Sequence, residues 1–314
     1  MANIRQHIRI ARVDHWFKNV FVLPGTAIAA TLIGASPVDF AIPLLIGLAS
    51  TCLVASSNYV INEWLDAPFD RFHPVKKHRA SVTGEIGRTA VYSEYALLLA
   101  AGLLLAYGVS TRFFLVSCFF AVMGLAYNVW PVRTKDRVYL DVLSESVNNP
   151  IRLVLGWFIV MDEPLPPSSL LLGYWMAGAF LMGVKRYAEL RFIDDPEVAG
   201  MYRRSFRFYS PDSLLISIFF YGACASFFLG VLLVKYRAEL LLSLPFLALC
   251  FTWYLQIGMR PNSPTQHPER LYREKAFTAY LALVTALVGA LFLVEIPWLD
   301  WFLNKAFIVA DSGP

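Results

Sequence analysis

The chain is a succession of long apolar runs separated by polar links. Eight runs cover residues 19 to 38, 40 to 62, 95 to 111, 113 to 134, 164 to 184, 213 to 234, 240 to 259 and 276 to 294, and a ninth, 142 to 161, carries Glu145 and Arg152 within it. About 18 apolar residues cross roughly 30 Å of hydrocarbon as a helix, whereas a barrel strand needs only about ten alternating ones. In lipid the backbone must satisfy its own hydrogen bonds, so runs of this length are helices. The pattern predicts an all-α, polytopic membrane protein with nine transmembrane helices, in a single domain over residues 1–314. A composition of 57% hydrophobic and 16% charged residues, with mean hydropathy +0.54, excludes an ordinary water-soluble core. No nucleic-acid partner is expected.

The first run follows the basic head Met1 to Lys18 and lacks an A-x-A cleavage signal, so it reads as a retained span. Cys52, Cys118, Cys224 and Cys250 are scattered without C-x-x-C spacing, which argues for packing roles over a disulfide framework or a zinc site.

Basic residues set the orientation. Of 27 Lys and Arg, 22 fall in the N-terminal segment and in the links after the second, fourth, sixth and eighth runs. Arg112, Lys235, Arg237 and Lys305 remain for the other side, with Arg152 inside a run. Lys and Arg accumulate on the cytoplasmic side. The N-terminus is therefore expected inside and the C-terminus outside, in the inner (cytoplasmic) membrane. The basic links are also the long ones, which places function on that face.

One link begins with an acidic pattern. Asn62, Asp66 and Asp70 stand at i, i+4 and i+8 at the end of the second run, on one face of a helix. Charged groups at membrane depth cost about 2.5 to 3.5 kcal/mol each on insertion scales, so such a stripe should line a wet cavity. Carboxylates and an amide oxygen are hard ligands suited to Mg²⁺, which keeps waters and is shared with substrate phosphates. The bland alternative is that these acids pair with Arg71, Lys76 and Lys77 where the helix leaves the bilayer. Pro68 is expected to kink or end the helix between Asp66 and Asp70, making Asp66 the safer ligand.

The stripe Asn62-x-x-x-Asp66-x-x-x-Asp70 on the second of nine spans resembles the first aspartate motif of the UbiA superfamily of intramembrane prenyltransferases. That resemblance implies a helical bundle with a cytoplasm-facing cavity, and a diphosphate held through Mg²⁺ by Asn62, Asp66 and Asp70. The segments His73-Pro74-Val75-Lys76-Lys77-His78-Arg79 and Lys185-Arg186-Tyr187-Ala188-Glu189-Leu190, together with Arg203 and Tyr209, resemble the phosphoribosyl-transferring branch. There the second D-x-x-x-D stripe of the aromatic prenyltransferases is replaced, here by Lys185 and Glu189. Trp16-Phe17-Lys18-Asn19, the loop Arg133-Thr134-Lys135-Asp136-Arg137, Asp141 and Arg152 resemble that branch as well. Glu63 stands where Asp is usual, and Ala80 where Pro is usual.

The resemblance implies transfer of 5-phosphoribose from phosphoribosyl diphosphate to a polyprenyl phosphate. Asp66, Asp70 and Glu189 would be catalytic. Lys18, Asn19, Lys76, Arg79, Arg133, Lys135, Arg152, Lys185, Arg186 and Arg203 would bind substrate. The chemistry agrees, because three phosphate-bearing groups need many cations, with Arg giving bidentate contacts and Lys point charges. Basic loops also attract anionic lipid headgroups, which some of these residues could serve instead. His73 and His78 read as solvated loop histidines. Competing readings are a UbiA-type enzyme moving the prenyl chain to an aromatic acceptor and, less favoured, an anion transporter, against which the lack of an internal repeat counts. A homo-oligomer stays open.

Overall fold

In the computed structural model the chain is described over residues 4–299, apart from Arg237 and His267. Lys305 and the rest of the C-terminal tail lie outside the described residues. Helices account for all the regular structure described: α1 (Ile4–Ile10), α2 (Leu23–Ile33), α3 (Pro37–Asp70), α4 (Ala80–Thr83), α5 (Arg88–Val109), α6 (Thr111–Asn128), α7 (Leu140–Ser146), α8 (Asn148–Trp157), α9 (Ser168–Ile193), α10 (Pro196–Tyr202), α11 (Pro211–Tyr236), α12 (Leu244–Gly258) and α13 (Lys275–Leu293), with short 3-10 turns between. Seven segments are long and apolar enough to cross a membrane: 4–33, 37–70, 88–109, 111–128, 211–235, 238–258 and 275–293. Outside these segments stand the 26-residue α9 and the consecutive short helices α7 and α8. The chain is a polytopic, all-α membrane protein. Side chains such as Val38, Phe219 and Leu293 are largely exposed, as the lipid-facing side of a span requires.

The first span starts at Ile4, earlier than the apolar run, and its basic head forms α1 and a 3-10 stretch, Val13–Val22, before α2. Pro68 does not end α3, which remains helical to Asp70. A proline loses the N–H that would bond four residues back and clashes there. That cost applies here too, since the carbonyl four residues back, Trp64, lies inside the helix; on either side of Pro68, Asp66 and Asp70 are fixed by ion pairs. The ninth run, by contrast, is divided at Val147 into α7 and α8.

Two groups of helices share the interior. α3 packs along α5, with α2, α6 and α8 closing over Val54, Phe113, Phe120, Leu155 and Trp157. α9 packs along α11, with α12 and α13 against Phe180, Val184, Ile218 and Tyr254. The α2–α8 contact is backbone on backbone: a Cβ on Gly25 would meet the Leu153 carbonyl oxygen at 1.9 Å, and one on Gly156 the Val22 carbonyl oxygen at 1.9 Å. Thr26 Oγ1 donates to the Gly156 carbonyl across it at 3.0 Å. The ends of α3, α6 and α9 and the starts of α5, α7 and α11 meet at one end of the bundle, and there the charged side chains collect.

Candidate active site

The last turn of α3 presents Asp66 and Asp70 to a narrow cleft lined also by Phe69, Arg133, Lys135, Asp136, Tyr202 and Arg203. Asp66 accepts from Arg133 NH2 at 3.0 Å and from Lys135 Nζ. The loop after α6 can deliver both cations because Arg133 adopts φ +26°, outside the regions side chains favour. Arg133 then donates to the Asn128 carbonyl (2.7 Å) and to Asp136 (3.1 Å). Burial lowers the Lys135 ammonium to about 8, with Asp66 opposing that shift.

Asp70, 2% exposed, pairs with Arg79. Arg79 also lies 3.9 Å from Glu63, and Glu63 3.7 Å from Arg12. Burial works against the Arg79 charge, but Asp70 and Glu63 outweigh it and raise its pKa. The cations that pair with the acids are Arg133, Lys135 and Arg79, while Arg71 lies over the Phe72 ring at 4.7 Å.

Glu189, on the last turns of α9, accepts from Lys76 Nζ (2.6 Å), Arg186 NH1 (3.2 Å) and Tyr202 Oη (2.8 Å). Burial lowers the Lys76 pKa against the pull of Glu189, and it raises that of Tyr202. Fully buried Asp141, at the start of α7, accepts from Tyr209 Oη (2.7 Å), Ser205 Oγ (3.2 Å) and Arg186 Nε (3.3 Å), and Arg203 NH1 lies 3.6 Å away. Tyr127 Oη takes bonds from both Arg186 and Arg203.

The predicted site residues therefore divide. Asp66, Asp70, Arg133, Lys135 and Arg203 line one cleft. Lys76, Arg79, Arg186 and Glu189 form the ion pairs around it. Asn62 does not line the cleft; its amide nitrogen donates to Asp66 Oδ2 at 3.3 Å and to Asn128. Lys18, Asn19, Arg152 and Lys185 lie away from it, with Arg152 Nε on Asn19 Oδ1 at 2.9 Å. His73, read from sequence as solvated, is 2% exposed: its Nδ1 accepts from the backbone of Val75 and Lys76, and its Nε2 is 3.7 Å from Glu189. Tyr202, Tyr127 and Asn128 carried no sequence signal beyond standing at helix ends on the basic face.

A metal can be accommodated. Among the described residues no three of His, Cys, Asp or Glu converge into a metal cage. Two carboxylates one turn apart on a shared cleft match an ion that takes one or two protein carboxylates and completes its shell with water and substrate phosphate.

The family model that matches, the UbiA prenyltransferase family, covers residues 22–281. A decaprenyl-phosphate phosphoribosyltransferase of Mycolicibacterium smegmatis is 30% identical over 188 residues, covering 60% of this chain and 58% of that protein. Nodulation protein NoeC of Azorhizobium caulinodans is 28% identical over 196 residues, 62% of this chain and 61% of that protein. The matches thus span about three-fifths of these relatives' length. Among solved structures, a UbiA homologue from Archaeoglobus fulgidus bound to GPP and Mg²⁺ superposes with TM-score 0.69 at 21% identity, over 92% of this chain and 100% of that one. The chain belongs to the UbiA prenyltransferase family.

Proposed function

We propose that the protein transfers 5-phosphoribose from phosphoribosyl diphosphate to a polyprenyl phosphate. The observation that carries this reading is the excess of positive charge in the ion pairs at this end of the bundle. Eight cations (Arg12, Lys76, Arg79, Arg133, Lys135, Arg186, Arg203, Arg204) face six carboxylates (Glu63, Asp66, Asp70, Asp136, Asp141, Glu189). Such a network is completed by anions, and a sugar carrying a phosphate and a diphosphate, meeting a lipid phosphate, supplies them.

Asp66 and Asp70 would hold Mg²⁺, with Asn62 steadying Asp66. When bound, the ion neutralises diphosphate charge as a Lewis acid. Arg133, Lys135 and Arg203, on the cleft wall, stabilise the leaving diphosphate as its C1–O bond breaks and it departs with the electron pair. The lipid phosphate oxygen, already anionic at pH 7, forms the new bond to C1, so no general base is required. Asp141 and Tyr127 orient Arg203, and Glu189 orients Lys76 and Arg186. In this reading the site faces the cytoplasm by the distribution of basic residues. The crossings number nine once α9 and the α7–α8 pair join the seven apolar segments, and the whole chain is one domain.

The test is incubation of membranes containing the protein with labelled phosphoribosyl diphosphate and a polyprenyl phosphate. Labelled lipid is the expected product. Its absence, with product formed instead from prenyl diphosphate and an aromatic acid, would replace this reading with aromatic prenylation.

A further inference from the structure

The link between Asp70, at the tip of α3, and Ala80, at the start of α4, carries Lys76 and Arg79. Of residues 71–79 His73 alone is buried, at 2% exposure. No step of the proposed transfer uses it. Three consecutive backbone N–H groups of the link nevertheless end on this one residue. Val75 and Lys76 donate to its Nδ1 at 3.1 and 3.2 Å, and Lys77 donates to its carbonyl oxygen at 3.3 Å. Asn and Asp side chains commonly fold a backbone in this way, accepting from N–H groups just ahead of them. An imidazole does so with one ring nitrogen and keeps the other for a second contact. Because Nδ1 accepts, it carries no proton, and the hydrogen-bond pattern assigns the ring as the neutral Nε2–H tautomer.

The far side of the ring rests on α9 and α10. Nε2 lies 3.7 Å from Glu189 Oε1, and the ring packs edge-on against Tyr202 with centroids 4.6 Å apart. Those two residues are also the partners of Lys76. Its Nζ donates to Glu189 Oε1 at 2.6 Å and lies 4.6 Å from the Tyr202 ring centroid, while Tyr202 Oη donates to the same carboxylate oxygen at 2.8 Å. Tyr202 in turn lines the cleft. A lysine loses much rotamer freedom when it is held in one place, and a backbone fixed in advance against the acceptor lowers that cost.

We infer that His73 is a positioning residue: it pins the link after α3 onto α9 and α10, and so sets the Lys76 ammonium for the sugar donor. The inference rests on the phosphoribosyl-transfer reading for the identity of that donor. Lys76 stands outside the cleft wall whose cations receive the departing diphosphate. Losing its placement therefore weakens donor binding in the ground and transition states alike, which raises KM and spares kcat.

Steady-state transfer by three variants tests it: His73→Leu, which has no acceptor; His73→Asn, whose amide oxygen can take the N–H groups of the turn; and His78→Leu, at an exposed imidazole of the same link. His73→Leu is expected to raise the KM for phosphoribosyl diphosphate by about tenfold or more, with kcat and the KM for polyprenyl phosphate within about threefold. His73→Asn recovers most of that loss, and His78→Leu causes none. A merely structural role would lower the thermal stability of both His73 variants, since both lose the ring, without separating their KM values. Unchanged KM in His73→Leu, or an equal rise in His73→Asn or His78→Leu, overturns the inference. Should His73→Leu fail to fold, spectra of the wild-type protein carrying ¹⁵N-histidine decide: an unprotonated Nδ1 is expected, and a protonated one overturns the pin. Amide exchange at residues 75–77 that is slow in the wild type and His73→Asn but fast in His73→Leu would uphold the pin even if no phosphoribosyl lipid formed, which would refute the reaction alone. Active transfer with the same KM in every variant would do the reverse.

Discussion

Asp66→Asn keeps the shape of the side chain and removes one unit of charge from the cleft wall. Asp66 has Arg133 at 3.0 Å and Lys135 as its counter-charges. Two unit charges about 4 Å apart interact by about 4 kcal/mol at an effective dielectric of about 20. Part of that loss is recovered locally. Lys135 already sits at about 8 because of burial, and Asp66 is what holds it up; without that carboxylate its pKa falls further and it sheds its proton near neutral pH. The fold therefore survives. The charge presented to a bound ion does not recover, and about 4 kcal/mol at 1.4 kcal/mol per decade predicts a fall in kcat/KM of about 10³, together with a higher Mg²⁺ requirement. The assay is transfer of labelled phosphoribose to polyprenyl phosphate across an Mg²⁺ titration. Full activity with unaltered Mg²⁺ dependence would remove Asp66 from the site.

Glu189→Gln should leave Lys76 and Arg186 without their shared counter-charge, at about 3–5 kcal/mol for breaking a buried pair, and loosen residues 71–79; faster amide exchange there is the readout, and unaltered protection would refute the anchoring role. Tyr209→Phe removes the 2.7 Å bond to Asp141 and the acceptor for the Tyr139 N–H, at about 1–3 kcal/mol, visible as an earlier thermal transition. Gly156→Ala must push α2 from α8 and should lower thermal stability by the 1–3 kcal/mol typical of overpacking, whereas Gly289→Ala, with nothing within 4 Å of the new methyl, should be neutral or stabilising; equal behaviour of the two would contradict the backbone contact. Chelation with EDTA should abolish transfer and excess Mg²⁺ restore it, and transfer that persists in EDTA would count against Asp66 and Asp70 as metal ligands.

Most of the helices were legible because length and apolarity alone decide a span. The acidic turn was legible too, since a spacing of four puts Asn62, Asp66 and Asp70 on one face whatever surrounds them. What answers that face was not. Arg133 and Lys135 reach Asp66 only through a loop with an unfavourable φ at Arg133, which no residue type announces. His73 illustrates the same limit: a single loop histidine is solvated by default, and its burial depends on α9 and α10 closing over the link after α3. Pro68 misled because α3 continues through it to Asp70 despite the lost N–H, with Asp66 and Asp70 held on either side by cations of the following loops. Asn62 was placed on the correct face but a turn too deep to line the cleft, since periodicity fixes azimuth and leaves reach undetermined.

The length of α3 has a consequence of its own. Thirty-four residues extend about 51 Å at 1.5 Å per residue, well beyond the roughly 30 Å of oil that a crossing demands. On the proposed reading the surplus works like a jetty: it carries the acidic tip past the water's edge, so the soluble sugar donor would dock from the aqueous side while the lipid-borne nucleophile stays moored among the acyl chains. Neither reactant has to abandon its own solvent for the two to meet.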